Sequence, residues 1–269
     1  MKPPRARASS DGRPRAGRAG VGATGSSWKG IYYAGAAAAV AGVLLVLVDI
    51  AVSIWLPRGE VAPGARPALE WFALFRENAF YGLRDLGLLN VLNIILGIPL
   101  FLALYAAHRR TDGAYATLAL VLFLFGGAVY VTNNAAVPVF VLSGEHAAAT
   151  TDARRAALVA AGEAVLARGE DFTPGSLVGF VLTSLAQISM SFVMLRGDMF
   201  GRTTAYTGIV GFALLLVFTV WTTLAPGALD AAVVIAVPAG LLVVAWNVLV
   251  AWRLFRQGAL REGAEQYRP

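Results

Sequence analysis

LRDLGLLNVLNIILGIPLFLALYAAH, residues Leu83 to His108, is an apolar run long enough to cross a membrane, and it carries polar side chains inside it. A hydrocarbon layer roughly 30 Å thick takes about 20 helical residues, and a polar amide within it costs free energy unless a neighbouring helix answers it. The run therefore needs a bundle around it. On a helical period Leu83, Leu86, Asn90, Asn93, Gly97, Phe101, Leu104 and His108 form one stripe, with Arg84 and Asp85 off it at the helix entrance. Pro99 has no amide hydrogen and leaves the Ile95 carbonyl without its helical donor, so a kink is expected there, with Gly97 thinning the helix just before it.

Composition agrees with a chain that lives mostly in lipid. Of the 269 residues 58% are hydrophobic and only 14% charged, against roughly 25% charged in soluble domains. One helical membrane domain with polar tails accounts for the whole length. The absence of cysteine excludes disulfides, thiolate metal sites, iron–sulfur clusters and cysteine nucleophiles, and no cofactor is signalled. A net charge of +6 could suggest nucleic acid, but the basic residues cluster in tails and short loops beside apolar runs, where membrane orientation and anionic lipid explain them. No nucleic-acid partner is expected.

Along the chain, residues 1–30 are rich in Arg, Pro, Gly, Ser and Ala, have little apolar surface to bury, and read as a disordered basic tail. Six spans follow, at about 31–56, 83–107, 115–139, 176–195, 205–224 and 231–252, with a basic tail at 253–269. The first is too long for the core of a signal peptide and is expected to stay as an anchor. Between spans, 68–81 carries Glu70, Ala73 and Glu77 on one side and bulky apolar residues elsewhere, which predicts an amphipathic helix lying on the outer surface. Residues 143–174 form the largest polar loop. Within it Thr151 or Asp152 can cap a second outer helix over 152–168, which Gly169 stops, and whose apolar side is Leu158, Val159, Gly162, Val165 and Leu166. Taking both termini as cytoplasmic puts 15 of the 22 Lys and Arg on that side, the sense of the positive-inside bias. The expected fold is all-α: a polytopic membrane protein with six transmembrane helices in one bundle, in the cytoplasmic membrane of a bacterium.

Candidate site residues are the polar ones inside or near the spans. Asp49 continues the stripe Gly35, Ala39, Gly42, Val46, Asp49, Ser53, whose small members bring another helix close. An intramembrane carboxylate faces the bundle or water and is a site candidate by default. Arg84, Asp85, Asn90, Asn93, Asn133 and Asn134 should lie at similar depth toward the outer face, where together with Asp49 they would line an outward-facing polar cavity. Thr183, Ser184, Gln187 and Ser191 share a side of span four and read as packing contacts. His108 and His146 fall on opposite sides of the membrane and cannot share a metal or haem. No H-E-x-x-H, G-x-S-x-G or P-loop pattern is present.

Two further stretches, TNNAAVPVFVLSGEHAAATTDARRAALVAAGEAVLARG from Thr132 and TPGSLVGFVLTSLAQISMSFVMLRGDMFGRTTAYTGIVG from Thr173, carry a resemblance. They resemble a family of bacterial and archaeal multi-pass membrane proteins known as domain of unknown function four-three-eight-six. The most specific parts are the Asn-Asn-Ala-Ala-Val-Pro exit, the Thr-Asp-Ala-Arg-Arg-Ala helix and the Phe-Gly-Arg-Thr-Thr-Ala-Tyr turn. The resemblance implies a six-helix membrane domain and brings no substrate, cofactor or catalytic residue. The functional expectation is a non-catalytic binding or sensing protein that holds a small polar ligand or lipid headgroup. A small secondary transporter or channel-like protein is the alternative, and a membrane enzyme comes third. The sequence sets no oligomeric state.

Overall fold

A computed structural model describes residues 20–55, 66–171, 173–225, 227 and 229–266, and every described segment of regular structure is helical. Ten helices follow in order: α1 (Gly20–Trp55), α2 (Ala68–Glu77), α3 (Ala79–Asp85), α4 (Leu88–His108), α5 (Gly113–Asn133), α6 (Ala136–Ala148), α7 (Asp152–Gly169), α8 (Pro174–Arg196), α9 (Arg202–Leu224) and α10 (Leu229–Gln266). Six of them, α1, α4, α5, α8, α9 and α10, are long and apolar enough to cross a membrane. The chain is an all-α multi-pass membrane protein.

These six close into a ring. Each packs on its neighbours in the order α1, α4, α5, α8, α9, α10, and α10 returns to α1. Successive members run antiparallel: Gly42 meets Asn93 and Gly35 meets Ala103 between α1 and α4, while Gly179 meets Tyr130 and Gly126 meets Thr183 between α8 and α5. A side chain at any of these glycines would strike the facing helix, so the glycines set the close spacing. The stripe of α1 anticipated from Gly35, Ala39 and Gly42 is buried against α4. Around the outside Leu44, Val121 and Leu241 stand exposed, as lipid-facing side chains do.

The main core fills the end of the ring where α1 begins and α10 ends, with Tyr32, Leu104, Met190, Met194 and Leu254 fully buried. At the opposite end the short helices α2, α3, α6 and α7 pack on one another around Trp71, Phe72, Phe75, Val139 and Leu166. Glu163 Oε1 accepts from the Ala68 amide at 2.7 Å, supplying the N-terminus of α2 from α7, and Ser143 Oγ donates to the Phe72 carbonyl at 3.2 Å.

Five boundaries differ from the sequence expectation. Residues 20–30 are the first turns of α1 and not tail; Pro14 is the last proline before them, and adding turns to a formed helix costs little. Residues 1–19, the remainder of the expected disordered tail, lie outside the described residues, as do residues 267–269 at the other end. The helix expected over 68–81 breaks at Asn78, whose extended backbone turns the chain and whose Oδ1 caps α3 through Phe80 N and Tyr81 N. The second span starts at Leu88, because Gly87 takes φ +86°, a left-handed turn that ends α3 and that glycine enters without steric cost. Likewise Asn134 ends α5, and its Oδ1 accepts from Ala136 N at 3.0 Å to start α6. Pro138 sits in the first turn of α6, where its missing donor breaks no bond, so this helix runs on into what reads as polar loop. Past residue 252 the expected tail continues as α10 to Gln266.

Candidate functional site

Between the main core and the short-helix cluster lies a partly open cavity of about 280 Å³, with residues of all six spanning helices on its wall. Its polar wall is Asn90 and Asn93 from α4, Thr183, Ser184 and Gln187 from α8, and Asn247 from α10. The apolar wall includes Phe101 and Phe123, which stack at 4.0 Å, and Phe212 and Trp246, which meet edge to face at 5.1 Å. Among the described residues no ionisable side chain lines it.

Asn90 bonds to Asp171, and the other polar residues named on this wall divide in two. Thr183 Oγ1 donates to the Gly179 carbonyl at 2.9 Å and Asn247 Nδ2 donates to the Val243 carbonyl at 2.9 Å, so both are answered by their own helices. Asn93, Ser184 and Gln187 make no side-chain hydrogen bond to the described residues. Two amides and a hydroxyl from α4 and α8 thus share one partly open cavity with their donors and acceptors uncommitted. In a low-dielectric interior such groups are costly unless something occupies the space and bonds to them.

The seven candidate residues do not converge on this cavity. Only Asn90 and Asn93 reach it. Asp49, Arg84 and Asp85 form a separate cluster: Arg84 Nε donates to Asp49 Oδ1 at 2.7 Å, Nη2 to the Asp49 carbonyl at 2.9 Å and Nη1 to Asp85 Oδ1 at 2.9 Å. The Arg84 side chain is 1% exposed and that of Asp49 37%, so the cluster joins α1 to α3 at the edge of the bundle. Asn133 and Asn134 hold the break between α5 and α6. Asn133 Oδ1 accepts from Arg168 Nε at 2.7 Å, and Asn134 Nδ2 donates to the Leu86 carbonyl at 2.9 Å. Asn133 and Asn134 therefore bind helix ends together and do not line the cavity.

Two residues outside the expected set organise this region. Asp171, in the link between α7 and α8, accepts from Tyr130 Oη on Oδ1 at 2.8 Å and from Asn90 Nδ2 on Oδ2 at 2.9 Å. Tyr130 is fully buried. Gly87 lies against the same groups: a methyl there would come within 2.9 Å of Tyr130 Oη, 3.1 Å of Asn134 Nδ2 and 3.1 Å of Asp171 Oδ2. In the sequence Asp171 stands just before Thr173-Pro174 and reads as ordinary helix-start chemistry, so nothing local marks it as the partner of α4 and α5. Asn90 is then shared between the Asp171 cluster and the cavity wall, which makes it the link between the outer helices and the interior.

The helix α7 packs on α6, α2 and α8 with Leu158 and Leu166 buried, and Arg168 near its end reaches Asn133 at the end of α5. Comparison with protein-family models, curated proteins and solved structures finds no match. The resemblance drawn from the sequence rests on its three motifs alone, and these fall at the α5–α6 break, the start of α7 and the α8–α9 turn.

Proposed function

We propose that the protein is a non-catalytic membrane receptor that holds a small, uncharged, hydrogen-bonding molecule in the cavity of its ring. The observation that carries this is the set of uncommitted groups on Asn93, Ser184 and Gln187 facing one space without an ionisable neighbour. An ion or a charged headgroup would meet no counter-charge there, whereas a neutral amphiphile would bond to the amides and lay its apolar part on Phe101, Phe123 and Phe212. This narrows the polar ligand expected from sequence to an uncharged one.

The double variant Asn93→Leu/Gln187→Leu tests it. If the amides serve an occupant, native mass spectrometry of gently purified protein detects a bound small molecule that the variant loses, while the melting temperature holds or rises. If they serve only helix packing, no such mass appears and the variant loses on the order of 1 kcal/mol for the two contacts. Transport is the second reading, favoured by the reach of the same cavity from Asn90 in the first turn of α4 to Asn247, midway along α10. Net flux of the molecule so identified, measured in proteoliposomes, would assign the cavity to a transporter.

A further inference from the structure

A second pocket, of about 210 Å³, lies at the other end of the molecule between the α8–α9 turn and α10. It is lined by Asp198, Met199, Arg253, Arg256, Gln257 and Leu260. Helical spacing puts Arg253 and Arg256 on one side of α10, three residues apart, and both guanidinium groups lie over the Trp252 ring, at 4.9 and 6.0 Å from its centroid. Neither is paired with a carboxylate among the described residues, although Asp198 lines the same pocket. Elsewhere in the protein arginines near carboxylates do pair, as Arg196 with Asp112 at 2.8 Å and Arg154 with Glu145 at 2.9 Å.

Depth identifies the partner. From Leu229 to Trp252, α10 rises about 35 Å, just more than the roughly 30 Å of hydrocarbon, so Arg253 and Arg256 stand at the level of lipid phosphates. Trp252 is 54% exposed on the outside of the ring, where an interfacial tryptophan belongs. Phe255 and Leu260 are also exposed beside the pocket and offer apolar surface to an acyl chain. Charge narrows the choice. Two guanidinium groups and one carboxylate give the site a net charge of +1, which a phosphodiester monoanion neutralises and a phosphomonoester dianion overshoots.

We propose that this pocket binds the headgroup of an anionic phosphoglycerol lipid in the leaflet on the side of the chain ends. The phosphodiester oxygens accept from Arg253 and Arg256, the Gln257 amide adds a donor, and Asp198 accepts from a headgroup hydroxyl. The site is independent of the central cavity, and so is its test.

The full chain in detergent is titrated with phosphatidylglycerol and with phosphatidylcholine, and bound lipid is read by native mass spectrometry. Phosphatidylglycerol is expected to be retained on the order of tenfold more strongly. The double variant Arg253→Gln/Arg256→Gln should bring it down to the phosphatidylcholine level, and Arg110→Gln, in another turn, should leave the preference intact. An unchanged melting temperature in each variant shows that the fold is kept. Replacing both arginines by lysine keeps the charge and should keep part of the preference, which covers the case of a glutamine variant that does not fold. Equal retention of the two lipids by the native chain, or an undiminished preference in the glutamine variant, would overturn the proposal. So would displacement of the lipid by millimolar inorganic phosphate, which would mark a site for free anions.

Discussion

Arg84 shows how one residue changes meaning between sequence and structure. It reads as an entrance charge of the second span, yet it is buried at the meeting of α1 and α3 with carboxylates on both sides. Desolvating a guanidinium is costly, and here the cost is offset by charge-assisted bonds to Asp49, to its carbonyl and to Asp85. Arg84→Leu removes all three of these bonds and should lower unfolding stability by about 3 kcal/mol, read as a fall in melting temperature in detergent. Asp49→Asn keeps an acceptor for Nε and should cost less than Asp49→Leu. Equal losses in those two would mean that the bond between Arg84 and Asp49 contributes little.

At the scale of elements, the breaks matter more than the helices. Gly87, Asn78 and Asn134 each stop one helix and start another, and the Gly87 and Asn134 breaks are tied together by Asn134 Nδ2, which donates to the Leu86 carbonyl. Gly87→Ala therefore carries two penalties. The left-handed backbone costs an alanine about 1–2 kcal/mol, and the added methyl crowds Tyr130, Asn134 and Asp171. A larger loss of melting temperature than Tyr130→Phe produces is the expected result, with faster amide exchange at the starts of α4 and α8 by mass spectrometry. Gly169 is similarly enclosed, since a side chain there would run into the Asn133 carbonyl.

For the whole molecule, the ring predicts which surfaces share a side of the membrane. The chain has no cysteine, so single cysteines report without background. Thr111→Cys in the α4–α5 turn and Ala161→Cys on the exposed face of α7 should react with an impermeant maleimide from opposite sides of sealed cells, with Thr111→Cys protected until the membrane is opened. Reaction of both from outside would sink the six-crossing arrangement.

Hydropathy and length determined the all-α class, the six crossings and the outer helix over 152–168 from sequence alone, because bilayer thickness is an external ruler and burial in lipid is a property of each segment by itself. The packing face of α1 was also readable, since small residues at helical spacing have few other uses in a span. What only the tertiary structure decided is which polar group meets which. Asn90 bonds Asp171 across 81 residues and Arg168 bonds Asn133 across 35. The side chains of Gln187 and Ser184, which read as packing contacts, face the cavity with Asn93 and make no hydrogen bond to a described residue. A side chain's partner depends on the rotation of its helix and on which helix stands beside it. Those are set by close contacts such as Gly42 on Asn93 and Gly126 on Thr183, which involve two segments at once and leave no trace in either one alone.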